Sequence, residues 1–250
     1  MIRSLVFDKD GVILDMAGTW MPVARQVADY TLSRQPDGAV GSLTRADLLA
    51  AVGVDDEVGI IDPFGMFARE PFAEVRKAWQ AMLPAGMIDL NNDEEYRAEV
   101  KRLAQQMTQG NVVAKGDIET PLRQLAAAGF RIAMLTNDSE GSARRNMAEL
   151  GIEDLFDPII GVDSGHGSKP EPDGLLHILA QHRSAPSEAL MIGDTGADYG
   201  AAVNAGVADF ICIADDPSHR PDAAIDPKNV IADLTDLPDL LARWNNQTLD

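Results

Sequence analysis

Cysteine is almost missing from this chain: Cys212 stands alone among 250 residues, so an intramolecular disulfide and a thiolate zinc cluster are both excluded. Positive charge is short as well, with 21 Lys+Arg against 40 Asp+Glu and a formal charge of -19. A nucleic-acid backbone or an anionic membrane would meet repulsion, and neither is an expected partner. No apolar stretch reaches eighteen residues, and the opening Met1-Ile2-Arg3-Ser4 runs straight into Leu5-Val6-Phe7 without a signal-like segment, so the expected location is the reducing cytoplasm. Internal repeats and low-complexity segments are also lacking. What is present is 45% apolar residues, too many for a disordered acidic chain and enough for a sizeable core.

From residue 110 onward, short apolar runs alternate with amphipathic stretches. Residues 131–135, 158–162, 189–192 and 209–213 read as strands, and 118–128, 141–150, 172–182, 196–205 and 234–244 as helices, several closed by glycine. Residues 2–7 add a first strand. Strands and helices in this alternation call for parallel pairing through right-handed crossovers, hence an α/β, doubly wound, Rossmann-like sheet. Between the first strand and Gly110 the periodicity is helical only, over 21–33, 45–52, 72–82 and 93–107, with breaks at Pro36-Asp37-Gly38, Asp62-Pro63-Phe64-Gly65 and Pro84-Ala85-Gly86. The organisation expected is a core domain of residues 1–15 and 111–250, with an all-helical domain of residues 16–110 inserted after the first strand.

Ligands of open parallel sheets bind beyond the carboxyl ends of the strands, and four segments there share a chemistry. Asp8-Lys9-Asp10-Gly11 follows the first strand. With 28 Asp in the chain, chance alone supplies about three D-x-D spacings, yet this is the only one. It reads either as a solvated turn or as a nucleophilic carboxylate followed by a proton donor. Thr136-Asn137 offers a hydroxyl and backbone N–H groups suited to phosphoryl oxygens, or equally a helix cap. Lys169, one of six lysines, is either a surface residue or the cation that lets a phosphate dianion approach a carboxylate. Asp194 and Asp198, one helical turn apart after Gly193, suit a hard cation such as Mg²⁺ through oxygen ligands, with capping by Asp194 as the plain alternative.

In this order along the chain, the four segments resemble the motifs of the haloacid dehalogenase superfamily, and the inserted helices fall where that superfamily carries a helical cap. Residues 164–172 and 192–206 resemble its phosphoglycolate phosphatase branch. The resemblance implies a phosphomonoester phosphatase acting on a small phosphorylated metabolite, with phosphoglycolate the first candidate. Asp8 would form an aspartyl-phosphate, and Asp10 would be the general acid and later activate water. Thr136, Asn137 and Lys169 would hold the phosphoryl group. Mg²⁺ would be bound by Asp8, the Asp10 carbonyl and Asp194, with Asp198 a direct or water-mediated partner. The cap would exclude water and select the leaving group. Asp10 argues against a dehalogenase, since halide leaves without a proton. A phosphomutase of the same superfamily remains an alternative, and so does a phospho-accepting signalling module without turnover. Lys77 and Lys101 are spaced as solvated helix-face residues, against a Schiff-base phosphonatase. Trp20, Phe67 and Arg69 are the substrate-facing candidates of the insertion, while Lys115 reads as a linker residue and His166 as a loop residue.

Overall fold

A computed structural model describes residues 1–36, 41, 43–62, 64–214 and 220–247; of the expected break residues, Asp37, Gly38 and Pro63 lie outside these. The first strand, β1 (Ser4–Phe7), is buried along its whole length, as a strand must be when both faces of its sheet are covered. The chain then divides into two compact units: Met1–Asp15 with Ala114–Asp250, and Met16–Val113.

The second unit comprises α1 (Met16–Ser33), α2 (Arg45–Ala50), β2 (Val54–Asp55), β3 (Ile60–Ile61), α3 (Met66–Arg69), α4 (Phe72–Met82) and α5 (Glu94–Thr108). Two features depart from the sequence expectation. α1 begins five residues earlier than the helix expected from Met21, and Pro22 lies inside it. Proline so close to a possible start mimics a first-turn residue, but the preceding turn is held by the tie of Thr19 Oγ1 to the Val113 N–H at 3.1 Å. The insertion is also not purely helical, because β2 and β3 pair antiparallel with Val54 opposite Ile61. Two residues per strand are too few to show an alternation, and the turn is closed by the Asp55 carboxylate, which accepts the N–H groups of Glu57 and Val58 at 3.0 Å each.

Apolar side chains of α1, α2, α4 and α5 form this unit's core around Val27, Leu48, Leu49, Trp79 and Tyr96. Polar tips inside it are matched: Trp79 Nε1 donates to the Leu48 carbonyl at 2.7 Å, and the Thr31 and Tyr96 hydroxyls lie 2.7 Å apart. Trp79→Phe keeps most of the apolar body but strands a buried carbonyl, so a loss of about 1–3 kcal/mol is expected in urea denaturation. Trp20 and Phe67 pack, partly buried, against the same cluster, whereas Arg69 is exposed.

The first unit resumes with Lys115 N–H bonded to the Ile13 carbonyl at 2.9 Å, so its outgoing and returning segments lie side by side. There follow α6 (Glu119–Ala127), β4 (Arg131–Leu135), α7 (Glu140–Glu149), β5 (Ile159–Ile160), α8 (Asp173–His182), β6 (Ala189–Gly193), α9 (Gly196–Ala205), β7 (Asp209–Ile213), β8 (Val230–Ile231) and α10 (Leu237–Gln247). The strands form one sheet in the order β5-β4-β1-β6-β7-β8, every pair parallel. Val6, Ala133, Leu135, Met191, Phe210 and Cys212 pack on Leu175, Ile178 and Leu179 of α8 and on Ala202 and Ala205 of α9. Leu5, Phe7, Ile132, Met134, Leu190 and Ile192 alternate with these and are equally buried, which is the pattern of a sheet covered on both faces. β8 was not foreseen, and the expected last helix divides into a 3-10 turn at Leu234–Asp236 followed by α10. Among the described residues no helix is long and apolar enough to cross a membrane.

Candidate active site

Register assembles the site. Phe7 lies level with Met134 on one side and Ile192 on the other, so the chain leaves the carboxyl ends of β1, β4 and β6 at adjacent points. Asp8, Thr136 and Asp194 are the residues released there. Asp8 N–H still bonds to the Ile192 carbonyl at 2.9 Å, fixing its backbone to the neighbouring strand.

Lys169 arrives from the loop after β5. Asn137 clasps its backbone from both sides, accepting the Lys169 N–H at 2.8 Å and donating its amide to the Lys169 carbonyl at 3.1 Å. Asn204 of α9 holds the next carbonyl, that of Pro170, at 2.9 Å. The side chain is thereby aimed inward, where Lys169 Nζ lies 2.6 Å from Asp8 Oδ1 and 2.6 Å from Asp198 Oδ1. Lys169 and Asp8 are each 6% exposed and Asp198 is fully buried. The Asn137 side chain is committed to Lys169, leaving its backbone N–H as the group available to an anion. Thr136 is buried and its Oγ1 accepts the Asp138 N–H at 3.1 Å; the N-cap of α7 is Ser139, three residues further on.

Asp194 is not the cap of α9 either. Thr195 takes that position in a capping box with Asp198, whose Oδ2 accepts the Thr195 N–H at 3.0 Å and its hydroxyl at 2.6 Å. Both oxygens of Asp198 are therefore hydrogen-bonded, one to the cap and one to Lys169. Asp194 differs: its Oδ1 is buried and has no hydrogen-bond partner among the described residues. Oxygens of Asp8, Asp194 and Asp198 lie within 4.8 Å of one another. Two glycines make room for this crowding, since a Cβ on Gly193 would overlap Asp198, and one on Gly11, at φ 80°, would overlap the Asp194 carboxylate. The Asp10 carboxylate stands outside the trio and contacts Lys9 Nζ at 3.0 Å.

The electrostatics follow from burial. Desolvation, then the charge of Asp198, push Asp8 up to about 7 against the opposing pull of Lys169. Desolvation, Asp198 and Asp8 hold Asp194 well above the ordinary carboxylate range. Burial works against the Lys169 ammonium, but Asp198 and Asp8 overcome it and raise its pKa. A carboxylate trio in which Asp8 and Asp198 are buried and Asp194 half-buried, with an orphaned oxygen and all donors oxygen, is a donor set suited to a small hard divalent cation.

Comparison with known proteins bears on this geometry. The model of the haloacid dehalogenase-like hydrolases matches residues 2–206. The chain belongs to the haloacid dehalogenase-like hydrolase family. Among curated members of related sequence, a phosphoglycolate phosphatase of Vibrio vulnificus is 34% identical over 124 residues, which is 50% of this chain and 54% of that one. One of Psychrobacter arcticus is 36% identical over 93 residues, 37% of this chain and 40% of the other. The chain thus spans about half the length of the curated relatives it matches. Solved haloacid dehalogenase folds superpose over nearly all of it: a hydrolase of this superfamily from Geobacter sulfurreducens covers 96% of each chain at 19% identity and TM-score 0.63, and a 2-haloacid dehalogenase from Pseudomonas syringae covers 98% of this chain and all of its own at 22% and 0.60. At such identities the likeness is one of fold.

Of the expected site residues, Asp8, Lys169, Asp194 and Asp198 come together and Asn137 holds the Lys169 backbone, while Thr136 follows the neighbouring strand β4 and the Asp10 carboxylate stands apart on Lys9. Sequence reading missed Lys9, which is completely buried among acidic groups, and Thr195, the true cap. Both carried signals: Lys9 is a charge closing an apolar strand, and Thr195-x-x-Asp198 has the spacing of a capping box. His166 stacks on His177 with ring centroids 3.6 Å apart.

Proposed function

We propose that this hydrolase is a Mg²⁺-dependent phosphomonoester phosphatase that works through an aspartyl-phosphate on a small phosphorylated metabolite. The observation that carries the reading is the single Lys169 ammonium shared at 2.6 Å by Asp8 and Asp198, beside an Asp194 oxygen that none of the described residues satisfies.

Lys169 occupies Oδ1 of Asp8, leaving Oδ2 to attack phosphorus. The same ammonium lowers the repulsion that a phosphate dianion would meet on approaching a carboxylate. The Thr136 hydroxyl and the Asn137 backbone N–H hold equatorial phosphoryl oxygens. Asp10 delivers a proton to the leaving oxygen as that bond to phosphorus breaks, then takes one from the water that hydrolyses the aspartyl-phosphate. Asp8, Asp194 and the Asp10 carbonyl would hold Mg²⁺, which when bound supplies positive charge against the phosphoryl oxygens. Asp198, with both oxygens hydrogen-bonded, is assigned to anchoring Lys169 and the start of α9.

Phosphoglycolate is the first substrate to test, because the curated relatives matched over 54% and 40% of their length carry that name. Phosphate release from phosphoglycolate and a panel of small monoesters, with Mg²⁺ and with EDTA, is the deciding measurement. Release that requires Mg²⁺ is expected. A panel without Mg²⁺-dependent release overturns the reading, transfer to a second hydroxyl of the substrate in place of water indicates a mutase, and a stable phospho-aspartate a signalling module.

A further inference from the structure

Lys9 occupies the position between the two proposed catalytic carboxylates, and its surroundings are unusual. Its side chain is completely buried, and the ammonium lies 2.7 Å from Asp138 Oδ2, 3.0 Å from Asp10 Oδ2 and 3.4 Å from Asn146 Oδ1. β1 ends at Phe7, and Lys9 and Asp10 lie on the turn that follows, where consecutive side chains are no longer sent to opposite faces as they are in a strand. The far end of the contact is fixed. Asp138 accepts the Ser139 N–H at 2.6 Å through its other oxygen, and Ser139 caps α7, while Asn146 lies on α7 itself.

Stability alone does not account for this arrangement. Replacing a buried ion group by apolar residues of similar volume is often neutral or stabilising. A buried ion group is better explained where geometry has to be specified. Charge points the same way: Asp138 offsets the ammonium, so Asp10 meets a fixed ion pair and not a net positive charge. The Asp10 side chain remains 21% exposed, which leaves it open to approach by a leaving group.

We propose that Lys9 is a positioning residue, which with Asp138 and Asn146 holds the Asp10 carboxyl in place for proton transfer to the leaving oxygen. The inference rests on the acid role assigned to Asp10 above. In the step it serves, a bond forms between Asp8 Oδ2 and phosphorus, the bond from phosphorus to the ester oxygen breaks, and the Asp10 proton passes to that oxygen. Esters with poor leaving groups need that proton, whereas a dinitrophenolate leaves without it.

The test compares kcat/KM, which reports events through the first irreversible step, for an alkyl phosphate that the wild type turns over and for 2,4-dinitrophenyl phosphate. Lys9→Met is expected to lower the alkyl value by about 10²-fold, the scale of a misplaced catalytic group, and the dinitrophenyl value by less than about 3-fold. Lys9→Met/Asp138→Asn removes both charges, so it serves if the single variant folds poorly, and the same split is expected. In an Asp10→Asn background, Lys9→Met is expected to change the alkyl value less than about 2-fold, because residues acting as one unit are not additive. Equal losses on both substrates in the double variant, no loss on either, or a full further loss in the Asp10→Asn background would each overturn the assignment. Those results leave the phosphatase reading standing. Absence of any Asp8-dependent turnover in the wild type would overturn both.

Discussion

Steady-state phosphate release is expected to fall about 10⁴-fold or more in Asp8→Asn, the scale on which removal of a covalent nucleophile is felt. An amide nitrogen or oxygen does not displace an ester oxygen from phosphorus, so no aspartyl-phosphate forms. The substitution keeps the shape of the side chain, and Lys169 keeps its contact with Asp198 at 2.6 Å, so the loop after β5 stays anchored. Folding should not confuse the outcome: Asp8 is buried and crowded by Asp198, and a neutral amide relieves that crowding. The checks are phosphate release, and intact mass after acid quench to look for a phosphoryl adduct in wild type and its absence in the variant. Activity surviving at more than about a hundredth of wild type would remove Asp8 from the nucleophile's role.

The first unit was legible in the sequence because its strands are long, continuous and buried on both faces: 131–135 and 209–213 coincide with β4 and β7, and 196–205 with α9. The site residues were legible for a related reason, since a parallel sheet releases its chemistry at strand ends and those ends were visible. Elements decided by a few residues or by distant partners were not. β2, β3 and β8 are two residues long each, too short to carry a period, whereas β5, equally short, falls inside the expected strand 158–162. The clasp of Asn137 on the Lys169 backbone joins residues 32 apart and leaves no local trace. Asp198 is expected from its spacing as a direct or water-mediated partner of the cation; that Lys169 and the cap of α9 together hydrogen-bond its two oxygens leaves no local trace. Lys9 follows a buried strand and is itself buried, and a lysine so placed must find carboxylates or leave the core.

The second large effect is expected at Asp194, where function and stability should move in opposite directions. Activity in Asp194→Asn should fall about 10²-fold or more, the upper end of the cost of disturbing a metal site. The metal-free protein should become more stable above neutral pH. In the unfolded chain Asp194 loses its proton near the ordinary value of 3.8, whereas in the folded protein desolvation, Asp198 and Asp8 hold it protonated to well above that value. Between those limits the folded state binds more protons, and stability must fall as pH rises. Asp8, pushed up to about 7, adds to the same decline over pH 4 to 7. Asparagine removes the Asp194 share, so melting in EDTA at pH 8 should show the variant ahead by about 0.5–2 kcal/mol, a Tm gain of several degrees at about 2–4 °C per kcal/mol. At pH 4 the two proteins should melt nearly together. Adding Mg²⁺ should reverse the order, because a cation that binds only the folded wild type stabilises it by about 2.7 kcal/mol at a hundredfold excess over Kd. Equal Tm values in EDTA at pH 8 would show that Asp194 is not the strained carboxylate, and an Mg²⁺ shift as large in the variant as in wild type would show that it is not the cation ligand.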